Sequence, residues 1–320
     1  MPGVAGKLTA TMLAGGKSNL TYEITDGTSR WVLRRPPLGH VLPTAHDMGR
    51  EYRVLSALRD TTVPVPVPRA LCLDDSVIGA PFYLMDKVDG TSYRTAAALS
   101  DIGADRTRTV SERLIDTLTA LHGIDPDDIG LADFGRPHGF FARQVARWRR
   151  QLEASHSRDL PVADDLYDRL AATVPPPAPP AIVHGDFRLD NVLVDDGDRL
   201  VAVIDWEMAT IGDPLTDLAL MIVYDRLARL LDSDVVSDVA AAPGYLGEAQ
   251  IVSRYAARSG RDVSDLGLYI GLASFKLAAI LEGIHYRHMR RETVGSGFDR
   301  VGDAVAPLLT AGLASVQEGA

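Results

Sequence analysis

The sequence predicts an α+β fold with two lobes, a small β-rich N-terminal lobe and a larger, mainly helical C-terminal lobe. Three observations support this division. Strand-like runs dominate up to Val88, patterns of helical period dominate after the Asp89-Gly90 pair, and no repeat of fixed length indicates a solenoid or a propeller. We therefore expect an N-terminal lobe over residues 1–89 and a C-terminal lobe over residues 90–320.

The composition is that of a globular protein. The 320 residues are 46% hydrophobic and 24% charged, which is ordinary for folded domains. A formal net charge of −10 opposes binding to nucleic acid or to an anionic membrane. Cys72 is the only cysteine, so an internal disulfide is impossible and a reducing, cytoplasmic compartment is expected.

We expect neither a signal peptide nor a membrane span. Residues 1–13 hold one lysine and no sustained apolar run. The most apolar stretch, residues 266–284, is interrupted by polar side chains that include Lys276 and Glu282. This pattern favours a buried helix over one that crosses a bilayer.

The N-terminal lobe is predicted to be a small sheet that carries one helix. Residues 20–24 alternate in hydrophobicity, residues 31–34 follow a turn, and residues 82–88 are rich in strand formers. Residues 47–58 have apolar positions at helical spacing. The alternating Val-Pro run at 63–68 forbids a helix, so the chain there must be extended.

The C-terminal lobe is predicted to be helical with a small β-hairpin. Helical patterns include residues 108–122, 140–152, 166–173 and 266–289. Short β-like runs follow a proline-rich linker at residues 182–183, 192–194 and 200–204. The polar stretch at 195–198 separates the last two runs and predicts the hairpin turn.

The loop at residues 184–191 carries Asp186 and Asn191, five residues apart. Phosphoryl transfer needs a carboxylate that orients the attacking hydroxyl and accepts its proton, and an oxygen that binds a metal bridging the nucleotide phosphates. Asp205 ends a hydrophobic run and supplies a rigidly held oxygen ligand suited to Mg²⁺. These residues predict a phosphoryl-transfer centre. Four further aspartates are interpreted as turn residues: Asp190, Asp195, Asp196 and Asp198.

The segments HGDFRLDN, VIDWE and GDPLTDLA resemble the aminoglycoside phosphotransferase and choline kinase superfamily, whose members are related to protein kinases. The resemblance implies a protein-kinase-like fold, a hydroxyl-bearing small molecule as acceptor, and Mg²⁺ and ATP as cofactors. It makes Asp186 the catalytic base and Asn191 and Asp205 the magnesium ligands. Arg188 stands where protein kinases commonly carry a lysine, so it is expected to contact the moving phosphoryl group. A purely structural pairing with Asp190 or another carboxylate of the loop is its alternative.

The same resemblance assigns supporting residues around this loop. His184 is expected to support the loop, and Asp213 and Asp217 are expected to tie it down by hydrogen bonds.

The segment AGGKSN at residues 14–19 resembles the phosphate-covering loop of the superfamily. Its glycines would let main-chain N–H groups approach anionic oxygens. We expect nucleotide contacts from four of its residues: Gly15, Gly16, Ser18 and Asn19. A simple hairpin turn is the alternative interpretation.

Arg34 occupies the position of the phosphate-binding lysine of protein kinases, which departs from the usual pattern. Arginine keeps the charge but is longer and planar. Arg35 is the competing candidate. Glu51, on the following helix, matches the glutamate that pairs with this cation, and a solvated helix carboxylate is its alternative.

The strand at residues 82–88 resembles the hinge whose main chain binds adenine. Asp86 and Val88 are therefore expected to contact the base. Because main-chain groups would make these contacts, the choice between ATP and GTP stays open.

The segments VLRRPP, LPTAHDMGREYRVL, APFYLMDKVDG and FKLAAILEGIHYR resemble the branch related to domains fused to acyl-CoA dehydrogenases. This implies a hydroxyacyl thioester or a similar metabolite as acceptor. A basic stripe at helical spacing could meet the phosphates of CoA or could be a solvated face: Arg143, Arg147 and Arg150. Candidate residues of the acceptor cleft are Trp148, Tyr286, His285 and His288. For the two histidines the favoured alternative is an ordinary polar residue at a helix end.

Three other functions have weaker support in the sequence. An aminoglycoside acceptor would call for acidic walls around the cleft. A pseudokinase that only binds ligands is suggested by the arginine at position 34, but the base and metal ligands are intact. A protein kinase is disfavoured because no segment resembles the one that presents peptide substrates. The oligomeric state is not predicted.

Overall fold

The computed structural model of the protein describes residues 4–13, 19–37, 47–155, 157–176, 178–231, 236–292, 298 and 300–318. Its strands are Thr9–Met12 (β1), Leu20–Thr25 (β2), Arg30–Arg35 (β3), Pro68–Cys72 (β4), Phe82–Asp86 (β5), Ala181–Val183 (β6), Val192–Val194 (β7), Leu200–Val203 (β8) and Thr210–Gly212 (β9). Its α-helices are Met48–Leu58 (α1), Ala96–Ile102 (α2), Ala104–His122 (α3), Phe140–Ala154 (α4), Pro161–Ala172 (α5), Leu215–Leu230 (α6), Glu248–Ser259 (α7), Leu266–Met289 (α8) and Val305–Glu318 (α9).

The N-terminal region is an antiparallel sheet with one helix against it. The strand order is β1-β2-β3-β5-β4. Helix α1 begins after Asp47, whose side chain accepts a hydrogen bond from the Arg50 N–H at 3.0 Å. The helix buries Val54, Leu55 and Leu58 in the core. The predicted sheet with one helix is confirmed.

The C-terminal region is mainly helical and contains two small β ladders. Strands β7 and β8 pair antiparallel, and β6 pairs antiparallel with β9. The Asp195 carboxylate accepts hydrogen bonds from the Gly197 and Arg199 N–H groups, each at 2.9 Å. These bonds close the hairpin, so the turn interpretation of Asp195 is confirmed. The mixed architecture agrees with the predicted α+β class.

Helix α8 is the one described helix that is long and apolar enough to cross a membrane. Its most apolar window is 78% buried inside the protein, against α4, α6 and α9. Burial explains its composition, because a helix surrounded by other elements is apolar on most sides. Helix α8 is therefore a central core helix, as its interrupting polar residues predicted.

Candidate active site

Asp217 on α6 fixes the main chain of the catalytic loop, residues 184–191. The buried Asp217 carboxylate accepts hydrogen bonds from the N–H groups of His184 and Gly185, each at 2.7 Å. His122 contacts the same carboxylate at 3.3 Å. Burial alone would raise the pKa of Asp217, but hydrogen bonds and the nearby histidines outweigh it and lower that pKa. Asp217 thus stays ionised and holds the loop, as expected.

Asp213 plays a different part from the one expected. Its carboxylate accepts hydrogen bonds from the Leu215 N–H at 3.1 Å and from the Tyr269 hydroxyl. It therefore connects the start of α6 to α8. The prediction that Asp213 bonds the catalytic loop is wrong.

His184 connects the catalytic loop to the segment before Asp205. Its Nδ1 accepts a hydrogen bond from the Asp186 N–H at 3.2 Å, and its Nε2 donates to the Ile204 carbonyl at 2.9 Å. These partners require the neutral tautomer with a proton on Nε2. The fully buried ring thus makes the contacts expected of a supporting residue.

The two carboxylate oxygens of Asp186 have different surroundings. Its Oδ2 accepts a hydrogen bond from Asn191 Nδ2 at 2.9 Å. The same Nδ2 donates to the Asp186 carbonyl at 2.9 Å. Oδ1 is buried and accepts no hydrogen bond of regular geometry among the described residues, although burial of the Tyr224 hydroxyl and the close Asp186 carboxylate raise the pKa of that hydroxyl. A buried carboxylate oxygen with an unmet acceptor capacity is suited to receive a hydroxyl proton.

Asn191 and Asp205 are brought together by the main chain. The Ile204 N–H donates to the Asn191 carbonyl at 2.9 Å, which places Asp205 one residue beyond that contact. Asp205 adopts a left-handed conformation with φ of 66°, which is uncommon for a residue with a side chain. Because Asn191 Nδ2 is used by Asp186, its Oδ1 is the atom left to bind a ligand. A carboxylate and an amide oxygen are hard donors that fit Mg²⁺.

Arg34 lies between two carboxylates. Its Nε is 3.2 Å from Glu51 Oε2, and its Nη2 is 2.9 Å from Asp205 Oδ1. Tyr83 also donates to Glu51 at 2.8 Å. Only 1% of Glu51 is exposed, so it is not a solvated helix carboxylate. Arg34 therefore forms the expected pair with Glu51.

Burial governs the protonation of Glu51. It raises the pKa of Glu51 to about 7, although the Arg34 charge and the Tyr83 hydrogen bond act in the opposite direction. Arg35 points elsewhere, since its guanidinium donates to the carbonyls of Ile78 and Pro36. The geometry thus favours Arg34 over Arg35.

Of the four nucleotide contacts predicted in residues 14–19, the structure describes only Asn19. Gly15, Gly16 and Ser18 lie outside the described residues. Asn19 is buried, and its Nδ2 donates to Glu51 at 3.1 Å and to Glu207 at 2.9 Å. The Asn19 side chain thus joins α1 to the segment after Asp205.

The expected hinge strand ends at Asp86, two residues earlier than predicted. The Asp86 N–H donates to the Val67 carbonyl at 2.9 Å, and its carboxylate pairs with Arg69. The N–H and the carboxylate of Asp86 therefore have partners within the protein, and a contact of its carbonyl with adenine stays a prediction. Val88 lies beyond the end of β5.

Arg188 lies beside the base and is held by two neighbours. Its Nη2 is 2.7 Å from Asp190 Oδ2, and its Nε is 3.7 Å from Asp186 Oδ2. The guanidinium stands 4.4 Å from the centre of the Tyr224 ring. Only 6% of Asp190 is exposed. Asp190 lies in the single 3-10 turn Leu189–Asn191, as the turn interpretation predicts, and it is also the buried partner of Arg188.

A cavity of about 290 Å³ adjoins the catalytic loop at Gly185. Its walls come from α4, α6, α8 and the segment after Asp205, and include Phe140, Arg147, Trp148, Met208, Tyr269 and Lys276. The prediction that Trp148 lines the acceptor cleft fits this cavity. Three other candidates lie farther along α8 and do not line it: His285, Tyr286 and His288.

The three arginines of the predicted basic stripe on α4 lie in three different environments. Arg143 is bound by the carbonyls of Arg136 and His138. Arg147 lines the cavity, and Arg150 is exposed outside it. Only one of the three arginines thus faces the candidate acceptor site.

Two residues of the site were not predicted. Tyr224 lies within the apolar sequence of α6, where nothing distinguishes it from a core residue. Lys276 interrupts the apolar sequence of α8. This single lysine could have indicated a functional residue, because burying an ammonium group costs free energy unless the group is paired or hydrogen-bonded.

A model of the phosphotransferase enzyme family (APH) matches residues 9–254. This chain belongs to that family. The match covers both the N-terminal sheet and the catalytic loop, so the protein is an APH-family phosphotransferase. The expected family and the kinase-like fold are confirmed.

Curated relatives of this APH-family protein are named as acyl-CoA dehydrogenase family members. Acyl-CoA dehydrogenase family member 11 from Gallus gallus is 34% identical over 316 residues, which are 97% of this chain and 40% of the relative. The Homo sapiens protein of that name is 32% identical over 313 residues, 96% of this chain and 40% of the relative. The chain thus spans about 40% of the length of these relatives.

Solved structures include similar APH-family proteins. A crystal structure from Ralstonia eutropha JMP134, described as a candidate aminoglycoside phosphotransferase, has a TM-score of 0.85 and 30% identity over 99% of this chain and 94% of that one. Aminoglycoside phosphotransferase APH(4)-Ia in complex with ADP and hygromycin B has a TM-score of 0.60 and 17% identity, over 98% of this chain and 94% of that one. The second likeness shows the fold alone.

Proposed function

We propose that this APH-family protein transfers the γ-phosphoryl group of ATP to a hydroxyl group of a small molecule, with Asp186 as the base. One observation carries the proposal. Asn191 fixes Asp186 Oδ2, which lies 3.7 Å from Arg188 Nε, and Asp186 Oδ1 is buried without a hydrogen bond of regular geometry among the described residues. A base positioned in this way can accept the proton as the acceptor oxygen attacks phosphorus.

Asn191 and Asp205 are the proposed ligands of Mg²⁺. When bound, the ion neutralises charge on the nucleotide phosphates. The contact between Ile204 and Asn191 keeps both donors at the same end of the β7–β8 hairpin. Arg188 is proposed to stabilise the negative charge that spreads over the transferred group.

The nucleotide is proposed to bind between the N-terminal sheet and this hairpin. Arg34 would hold phosphate oxygens, with Glu51 orienting it at 3.2 Å. Gly15, Gly16 and Ser18 remain proposed phosphate contacts, and Val88 a proposed contact of the base. The structures of APH(4)-Ia with ADP and with AMP-PNP support ATP as donor. On this basis residues 1–89 form a nucleotide-binding lobe, and residues 90–320 a catalytic and acceptor-binding lobe.

The proposed acceptor is a hydroxyacyl thioester or a related metabolite. The curated relatives are acyl-CoA dehydrogenase family members, and enzymes of that name would process an acyl compound. An aminoglycoside is the alternative, favoured by the description of the Ralstonia eutropha protein.

Phosphorus NMR of reaction products tests both acceptors. Purified protein would be incubated with ATP and Mg²⁺ against a panel of hydroxyacyl-CoAs and aminoglycosides. We expect a new phosphate ester with at least one hydroxyacyl compound and none with Asp205→Ala. Absence of any ester, or an equal yield from Asp205→Ala, would contradict the proposed function.

A further inference from the structure

One end of the acceptor cavity holds two cations beside a single indole ring. Lys276 Nζ lies 5.6 Å from the centre of the Trp148 ring, and the central guanidinium carbon of Arg147 lies 5.1 Å from it. Lys276 projects from the middle of α8 and donates to the Gly185 carbonyl at 3.0 Å. Arg147 comes from α4 and is exposed. Two elements thus bring like charges to the same wall.

Carboxylates do not neutralise this pair of cations directly. Among the described residues, neither Lys276 nor Arg147 forms an ion pair with an acidic side chain. The acidic residues that line the cavity have other partners: Asp217 holds the catalytic loop, and Glu207 accepts from Asn19. The positive charge at this end of the cavity is therefore available to a ligand.

The charges around Lys276 act on it in both directions. Burial lowers the pKa of Lys276, the carboxylates of Asp186 and Asp217 oppose this effect, and the like charge of Arg147 adds to it. An anion between the two cations would remove their mutual repulsion. Cations near an aromatic ring also leave an apolar surface against which a carbon chain can pack.

We infer that this end of the cavity is an anion subsite, where Lys276 and Arg147 bind a carboxylate or phosphate group of the acceptor while its carbon skeleton packs on Trp148. The inference rests on the proposed function, because it takes the cavity for the acceptor site. A volume of about 290 Å³ suits a compact acceptor. A polycationic acceptor would place its ammonium groups against Lys276 and Arg147, which is unfavourable.

Binding of simple probes tests the subsite without requiring turnover. Calorimetry would measure hexanoate, hexyl phosphate, hexanamide and hexylamine against the full chain saturated with Mg²⁺ and AMP-PNP. We expect at least one of the two anions to bind about tenfold more tightly than the amide, because hydrogen bonds to charged groups are the stronger ones. The two anions distinguish a carboxylate from a phosphate. Equal binding of all four probes, preference for the amine, or no binding of either anion would overturn the inference.

Variants locate the effect. Arg147→Gln and Lys276→Met should each weaken binding of the preferred anion about tenfold and leave hexanamide unchanged. Lys276→Met also removes the contact with Gly185, which loosens the catalytic loop. Arg147 is exposed, so Arg147→Gln should fold normally and gives the cleaner test. Arg150→Gln is the matched control, because Arg150 lies on the same helix outside the cavity. Unchanged anion affinity in Arg147→Gln overturns the inference. Failure of the phosphotransferase assay with intact anion binding would instead refute the proposed function alone.

Discussion

Within the catalytic loop, Asp186 is set apart by the unequal surroundings of its two oxygens. Asn191 holds Oδ2, and Oδ1 is buried without a hydrogen bond of regular geometry among the described residues. Asp186→Asn keeps the size of the side chain but removes the proton acceptor. We expect kcat to fall by roughly 10²- to 10⁴-fold, the usual contribution of a positioned base, with little change in affinity for AMP-PNP.

Rate measurements at saturating substrate and calorimetry with AMP-PNP check this expectation. Asp195→Asn is the matched control, because Asp195 only closes the neighbouring hairpin turn. If Asp186→Asn retained more than about a tenth of the wild-type rate, Asp186 would not be the base.

Arg188 has both a structural partner and a position beside the base. Removal of its guanidinium leaves the buried Asp190 carboxylate without its ion-pair partner, which lowers stability, and removes a positive charge near the proposed position of the phosphoryl group. Arg188→Ala should therefore lower kcat about tenfold or more, with a smaller change in KM for ATP. Arg188→Lys should recover part of the rate.

The double variant Arg188→Ala/Asp190→Asn separates the two effects. It removes the unpaired carboxylate and should recover much of the melting temperature lost in Arg188→Ala. If kcat stays low in the double variant, Arg188 acts on catalysis. If kcat recovers together with stability, Arg188 is only the structural partner of Asp190.

Helix α6 holds the catalytic loop through Asp217 in its first turn. Asp217 accepts two main-chain N–H groups of the catalytic loop and is fully buried. Asp217→Ala leaves both donors without an acceptor. We expect the free energy of unfolding to fall by roughly 2–5 kcal/mol, together with a loss of activity, because the loop that carries Asp186 is released.

Urea unfolding and turnover of the same preparations test the role of Asp217. Asp165→Ala on the exposed face of α5 is the control and should change neither quantity. A stable, fully active Asp217→Ala protein would show that the loop holds its shape without α6.

Elements with strong local signals were predicted closely. Helix α8 was expected at residues 266–289 and occurs there. Helix α5 begins at Pro161, five residues before the expected start. Proline is favourable in the first turn of a helix, but it does not extend the apolar periodicity from which the start was predicted. Helix α6 was not predicted, since it is buried on most sides and its apolar sequence has little periodicity.

The same distinction applies to the site. Asp186, Asn191 and Asp205 could be predicted from the sequence because short motifs carry them within one stretch of the chain. The contacts of Lys276 with Gly185 and of Tyr224 with Arg188 join residues far apart in the chain. Such contacts arise from helix packing, which no local pattern reports.

Several contacts join the N-terminal and C-terminal regions across the proposed nucleotide cleft. Arg34 reaches Asp205 and Asn19 reaches Glu207, and within the N-terminal region Glu51 contacts both Arg34 and Asn19. The ionisation of Glu51 is therefore linked to the stability of the whole chain. The pKa of Glu51 is raised from 4.5 to about 7 by burial, so the folded protein keeps this proton where the unfolded chain has lost it.

The sign of the pH effect follows from proton counts. Between pH 4.5 and about 7 the folded state holds more protons at Glu51, so this residue makes unfolding easier as pH rises through that window. Urea unfolding at both ends of the window should show a larger loss for wild type than for Glu51→Gln. Equal losses in the two proteins would show that Glu51 does not titrate there.

The ion pair between Arg34 and Asp205 joins the proposed phosphate-binding cation to a proposed metal ligand. In the free protein the Arg34 guanidinium is thus engaged by Asp205 instead of phosphate, and the Asp205 carboxylate is engaged by Arg34 instead of a metal ion. A nucleotide that draws Arg34 to its phosphates frees Asp205 for magnesium, and magnesium at Asp205 frees Arg34 for phosphate. Each ligand should then raise the affinity for the other by the same factor, as linkage requires. The arginine at position 34 would thereby keep the cleft closed to a lone metal ion until a nucleotide arrives with it.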